Sequence, residues 1–93
     1  MAQANGKRRR RGRVLPQIVA TIRRRAFVHA IKVTGVSHQG AANEMGCPRY
    51  TVQRYLSGKR RVNEDYVYSS ERIGHSYHVC VGKLMRQAWR ASR

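Results

Sequence analysis

Apolar residues recur along this chain at intervals of three and four, and most of the runs they form end at a glycine. The first run is Leu15, Ile18, Val19, Ile22, Ala26, Ala30 and Val33, the period of an amphipathic helix. Pro16 suits a first helical turn, where its missing N–H costs nothing, and Gly35 is a stop. A helix over 16–34 is therefore predicted. Phe27 and Ile31 widen its apolar stripe, so it should touch more than one other element. Arg23, Arg24 and Arg25 fall on its surface and read as a solvated face.

The second run is short. Ser37 is a natural N-cap, with Val36 before it placed to pack against Ala41. Ala41, Ala42 and Met45 form one inner face. Gly40 is the weak position, since glycine inside a helix costs about 1 kcal/mol relative to alanine. Gly46 ends the helix and supplies the left-handed conformation of a sharp turn. Cys47 then plugs the turn and Pro48 opens the next helix. Val52, Tyr55 and Leu56 face inward, leaving Arg49, Tyr50, Gln53 and Arg54 outside, and Gly58 stops the helix before Lys59, Arg60 and Arg61.

Beyond this, Asn63 caps a helix predicted over 64–73, with Glu64 and Asp65 favourably placed near its N-terminal dipole. Gly74 is read as its end and residues 74–78 as a turn. A last helix is predicted over 79–91, carrying Val81, Leu84, Met85, Ala88 and Trp89 on one side. The expected architecture is all-α: about five helices as one domain over 14–93, preceded by a disordered basic arm over 1–13.

Charge changes the picture most. Among 93 residues there are 20 Lys and Arg against 4 Asp and Glu, a formal +16. Such an excess opposes compaction unless a polyanion neutralises it, which points to nucleic acid ahead of an anionic membrane or an acidic protein. Sixteen of the basic residues are Arg, whose planar fork suits phosphate and guanine. The arm concentrates the charge: Lys7, Arg8, Arg9, Arg10, Arg11 and Arg13, with no acid among them. It is expected to lie along phosphates or enter a minor groove.

At residues 37–61 the pattern resembles the helix-turn-helix of the lambda-repressor-like superfamily, which includes Cro-type phage repressors and the lac-repressor headpiece. The residues that carry the likeness are Ala42 on the inner face, Gly46 at the turn, and Ala41, Met45 and Cys47 around them. Val52 and Tyr55 match the inward positions of the second helix, and the ending Ser57-Gly58-Lys59-Arg60 is also similar. The sequence departs from the family at His38, where Gln is frequent, at Gly40, and in the length of the leading helix. The resemblance implies a motif over 37–58 whose second helix, 49–57, enters the major groove of double-stranded DNA. It implies base contacts from Arg49, Tyr50 and Arg54, with Gln53 beside them. Phosphate contacts fall to Ser37, His38, Gln39, Ser57, Lys59, Arg60 and Arg61, while Thr51 could reach base or phosphate. Relatives read two half-sites as dimers, so Leu84, Met85 and Trp89 are read as a homodimer surface, with Trp89 as lid of the core the alternative.

The functional expectation is a phage- or bacterial-type transcriptional regulator, with a repressor as its simplest form. The alternatives are a non-specific architectural or packaging protein of a virion or nucleoid, an RNA-binding or ribosome-associated protein, and a module binding an acidic partner. His75, His78 and Cys80 lie close in sequence, but Cys47 is committed to the turn, so no four-ligand zinc site is expected. No Ser-His-Asp set, carboxylate pair or phosphate-cradling glycine loop is present, so neither enzyme activity nor a cofactor or small-molecule substrate is expected. Two cysteines do not make a disulfide framework and no apolar run has the length of a membrane span, so a cytoplasmic, nucleoid-associated location is expected.

Overall fold

The computed structural model describes residues 2–91, with side chains from Gln17 onward. It contains five helices: α1 (Ala2–Thr34), α2 (His38–Met45), α3 (Arg49–Ser57), α4 (Glu64–Ser69) and α5 (Glu71–Ala91). No strand is present among the described residues. The arm expected over 1–13 lies outside the residues whose side chains are described.

From Gln17 on, α1 follows its apolar period. Ile22, Ala26, Phe27 and Ala30 are buried, whereas Ile18 and Val33, at the edges of the stripe, are exposed. The widened stripe does serve two partners: α1 packs against α5 and against α3. Phe27 meets Tyr55 of α3 edge-on, ring centroids 5.5 Å apart, the arrangement that aromatic quadrupoles favour. Around this pair Ala41, Ala42, Met45, Val52, Val62, Val67, Ile73 and Tyr77 close a single core.

The C-terminal third departs from the expected boundaries. Gly74 does not end a helix, and 74–78 is no turn. The break falls at Ser70, whose extended backbone (φ −97°, ψ 120°) separates α4 from α5. The Ser70 hydroxyl accepts a hydrogen bond from the Ile73 N–H at 3.3 Å and donates one to Glu44 at 2.8 Å. It thereby caps α5 and ties that cap to α2. Gly74 lies inside α5 for a packing reason. A Cβ there would sit 3.2 Å from both the Tyr68 Cα and the Val67 carbonyl oxygen, so glycine is what lets α5 cross α4 this closely. With the helix continuous, Tyr77 follows Ile73 by four residues onto the buried face.

Two acidic residues bind distant helices together. Glu44 of α2 receives a bidentate guanidinium from Arg72 of α5 together with the Ser70 hydroxyl. Glu64, at the start of α4, pairs with Arg23 of α1 at 3.3 Å and accepts the Tyr77 hydroxyl at 2.7 Å. Burial and this carboxylate together push the Tyr77 phenol upward in pKa. Arg23 thus links two helices while its side chain stays 40% exposed.

The Arg72 and Ser70 hydrogen bonds hold the Glu44 carboxyl below its ordinary value of 4.5. A carboxyl depressed in the folded state stabilises the fold above its unfolded pKa, and that contribution disappears as pH falls through the folded value. Thermal melts should therefore lose stability as pH drops below about 4.5, and Glu44→Gln should flatten that part of the profile. An unchanged acid limb in the variant would assign the loss to other carboxylates.

Candidate nucleic-acid interface

The start of α2 and the turn into α3 are fixed by local chemistry. Ser37 is extended (φ −72°, ψ 165°) and its hydroxyl accepts the Gly40 N–H at 2.9 Å, the N-cap bond expected of it. A Cβ on Gly40 would stand 3.2 Å from that hydroxyl oxygen, which gives the glycine a local reason. Gly46 ends α2 at φ 70°, and its N–H and that of Cys47 both reach the Ala42 carbonyl. Pro48, extended at ψ 152°, then starts α3 at Arg49. Burial raises the pKa of the Cys47 thiol in the turn.

Which face α3 presents is set by what it buries. Val52 and Tyr55 are fully enclosed, and Thr51 is 3% exposed. Thr51 is therefore corrected from a contact residue to part of the inner face: it neighbours Val52 and lies one turn before Tyr55, within the buried arc. Arg49, Tyr50, Gln53 and Arg54 remain exposed. The Arg54 guanidinium carbon lies 5.4 Å from the Tyr50 ring centroid, a cation–π contact that holds the charged fork over the helix surface.

The end of α3 is clamped from another helix. Arg24 of α1 donates from Nε to the Leu56 carbonyl at 3.0 Å, satisfying a carbonyl that a helix C-terminus otherwise leaves open. Gly58 takes a left-handed conformation (φ 81°), and a Cβ on it would lie 3.1 Å from that Arg24 Nε. Lys59 N–H returns to the Arg54 carbonyl at 3.0 Å. Lys59, Arg60 and Arg61 then run exposed until Val62 re-enters the core.

One shallow depression gathers Tyr50, Gln53, Arg54, Ser57 and Lys59. No carboxylate lines it, whereas Glu44 and Glu71 both line a different depression, beside Arg72 and His75. Arg49, Arg60 and Arg61 are exposed, before and after the depression in sequence. Ser37, His38 and Gln39 lie apart from it at the start of α2. There the Ser37 hydroxyl is occupied by its cap, and the Gln39 side-chain amide by the Asn43 oxygen at 3.0 Å. Arg24, read from the sequence as part of a solvated face, instead holds the end of α3. Its role depends on a carbonyl far along the chain, and nothing in the local pattern signals it.

Of the surface assigned to a dimer, Met85 and Trp89 are exposed, Trp89 at 64%, so Trp89 is not a lid on the core. Leu84 packs against the core instead, about 140° around the helix from Trp89. His75 and His78 are exposed on α5, with the His78 ring 3.4 Å from the Tyr68 hydroxyl. Among the described residues no three His, Cys, Asp or Glu side chains are grouped as a metal ion requires, and no helix is long and apolar enough to cross a membrane. Comparison of the chain with protein-family models, curated proteins and solved structures finds no match.

Proposed function

We propose that the protein binds double-stranded DNA by laying α3 in the major groove and that it acts as a transcriptional regulator. The observation that carries this reading is the exposed, carboxylate-free set of Arg49, Tyr50, Gln53 and Arg54 on one helix, continued by Lys59, Arg60 and Arg61. A helix with side chains is about as wide as the B-DNA major groove. Within it, Arg49 and Arg54 each present a fork that donates to guanine O6 and N7, Gln53 can pair with adenine, and the Tyr50 ring can pack on a thymine methyl. The cation–π contact with Tyr50 reduces the freedom Arg54 must lose on binding. Lys59, Arg60 and Arg61 neutralise phosphates and fix the register. The resemblance of residues 37–61 to lambda-repressor-like proteins points the same way. Self-association through Met85 and Trp89 would let two copies of α3 read two half-sites.

Titration of isotope-labelled protein with a duplex tests the placement. The largest amide shifts are expected over Arg49–Ser57 and 59–61, with α4 little affected. Shifts confined to other helices would remove α3 from the interface. The net charge of +16 favours a second reading, non-specific packaging of nucleic acid, which predicts the same footprint with equal affinity for all sequences.

Deleting residues 1–13 removes six positive charges. Binding to every duplex should weaken alike, and the slope of log affinity against log salt should fall by up to about 5, the value for six phosphate contacts. Anisotropy titrations at several salt concentrations measure this, and an unchanged slope would make the arm a bystander.

A further inference from the structure

A second groove, distinct from the α3 face, runs between α1 and α5, with a volume of about 640 Å³. Its floor is apolar: Val28, Val79, Cys80 and Leu84. Cys80 and Leu84 pack against the core with part of their surface, while Val79 is 56% exposed. Its rim is cationic, with Arg24, Arg25, Lys32 and Lys83, and no Asp or Glu lines it. The buried core takes Ala26, Phe27, Ala30, Ile73 and Tyr77 from α1 and α5, with Cys80 and Leu84 packed against it, whereas Val28 and Val79 belong to neither set.

We propose that this groove docks an amphipathic helix of an acidic partner protein. Apolar side chains of the partner at i, i+3 or i+4, and i+7 would fill the floor, and Asp or Glu on its flanks would meet the rim. Charge complementarity selects this occupant. A second copy of the chain, with 4 Asp and Glu against 20 Lys and Arg, offers too few carboxylates to match this rim. A nucleic-acid duplex would satisfy the rim, but its sugar–phosphate backbone has no projecting apolar side chain to cover Val79 and Leu84. The α3 depression, with Gln53 and Ser57 among its lining residues, has no comparable apolar floor. Arg24 borders both regions, holding the end of α3 through Leu56 and lining this groove. No residue lines both depressions, so this proposal does not rest on DNA reading, and the chain would join a nucleic acid to an acidic protein. The partner would be of the helix-in-groove kind, with the rim speeding encounter and the floor prolonging residence.

The test is selection from a random-peptide display library on the full-length chain, at physiological salt and with excess duplex DNA present. Enriched peptides are expected to carry apolar residues three and four apart, flanked by Asp and Glu. An enriched peptide, synthesised alone, should bind at least about tenfold more weakly to Val79→Glu. It should also shield Cys80, but not Cys47, from a maleimide. Val79 is exposed, so this variant should retain the wild-type melting curve and duplex affinity. Three outcomes would overturn the proposal: no enriched peptide, acidic peptides without apolar spacing that bind Val79→Glu equally well, or duplex DNA that itself protects Cys80 and binds Val79→Glu less tightly.

Discussion

Replacing Phe27 by alanine is expected to destabilise the fold by about 3–5 kcal/mol, the usual range for a fully enclosed aromatic ring. The ring has no exposed surface and meets Tyr55 edge-on at the junction of α1 and α3. Its removal loses transfer energy and leaves a cavity beside the helix that carries Arg54. Domains of this size are stable by about 5–15 kcal/mol, so the variant should sit near the edge of folding. In urea its midpoint should fall with little change in slope, which separates lost stability from a changed denatured state. Phe27→Leu should recover most of the loss, because it restores volume without the aromatic contact. A loss below about 1 kcal/mol for the alanine variant would mean that the α1–α3 junction is not part of the core. Without the ring α3 should lose its fixed face, so DNA affinity should fall with folded fraction in this variant.

Replacing Arg54 by alanine should leave the fold intact and cost about 1–3 kcal/mol in binding to a preferred duplex, with relaxed preference at one base position. Arg54 is exposed and its charged group rests over Tyr50, so its truncation disturbs no core contact. Tyr50→Phe retains the ring and should retain most of the affinity, whereas Tyr50→Ala should approach the Arg54 variant. The pair therefore separates loss of the fork from loss of the platform beneath it. An equal affinity loss on every sequence would place Arg54 on phosphate instead of a base edge.

Residues that act through their neighbours in sequence were legible from the chain. Ser37, Gly46 and Gly58 take the cap, turn and stop assigned to them, because capping and left-handed backbone are decided within about four residues. Ala41, Ala42, Met45, Val52 and Tyr55 all face the core, as their period requires. Gly74 misled because glycine has two uses, and only the approach of Tyr68 and Val67 distinguishes close packing from a helix end. The continuous spacing of Ile73, Tyr77, Cys80 and Leu84 was the signal for one long α5. Thr51 misled because a small polar side chain at the edge of an inward arc reads as outward. The pairs Arg23–Glu64, Arg24–Leu56 and Arg72–Glu44 join residues distant in sequence, and no local pattern encodes them. The candidate site divides in the same way. The exposure of Arg49, Tyr50, Gln53 and Arg54 follows from the buried period of α3, whereas the clamp that fixes the end of that helix came from α1.

Selection from a random duplex library at physiological salt measures directly whether α3 distinguishes sequences. The expected result is enrichment of a short motif, arranged as two half-sites if Met85 and Trp89 mediate a dimer, and loss of preference at one position with Arg54→Ala. A library that emerges unenriched, with tight and strongly salt-dependent binding to every sequence, would contradict base reading by α3 and leave a protein that packages nucleic acid by charge.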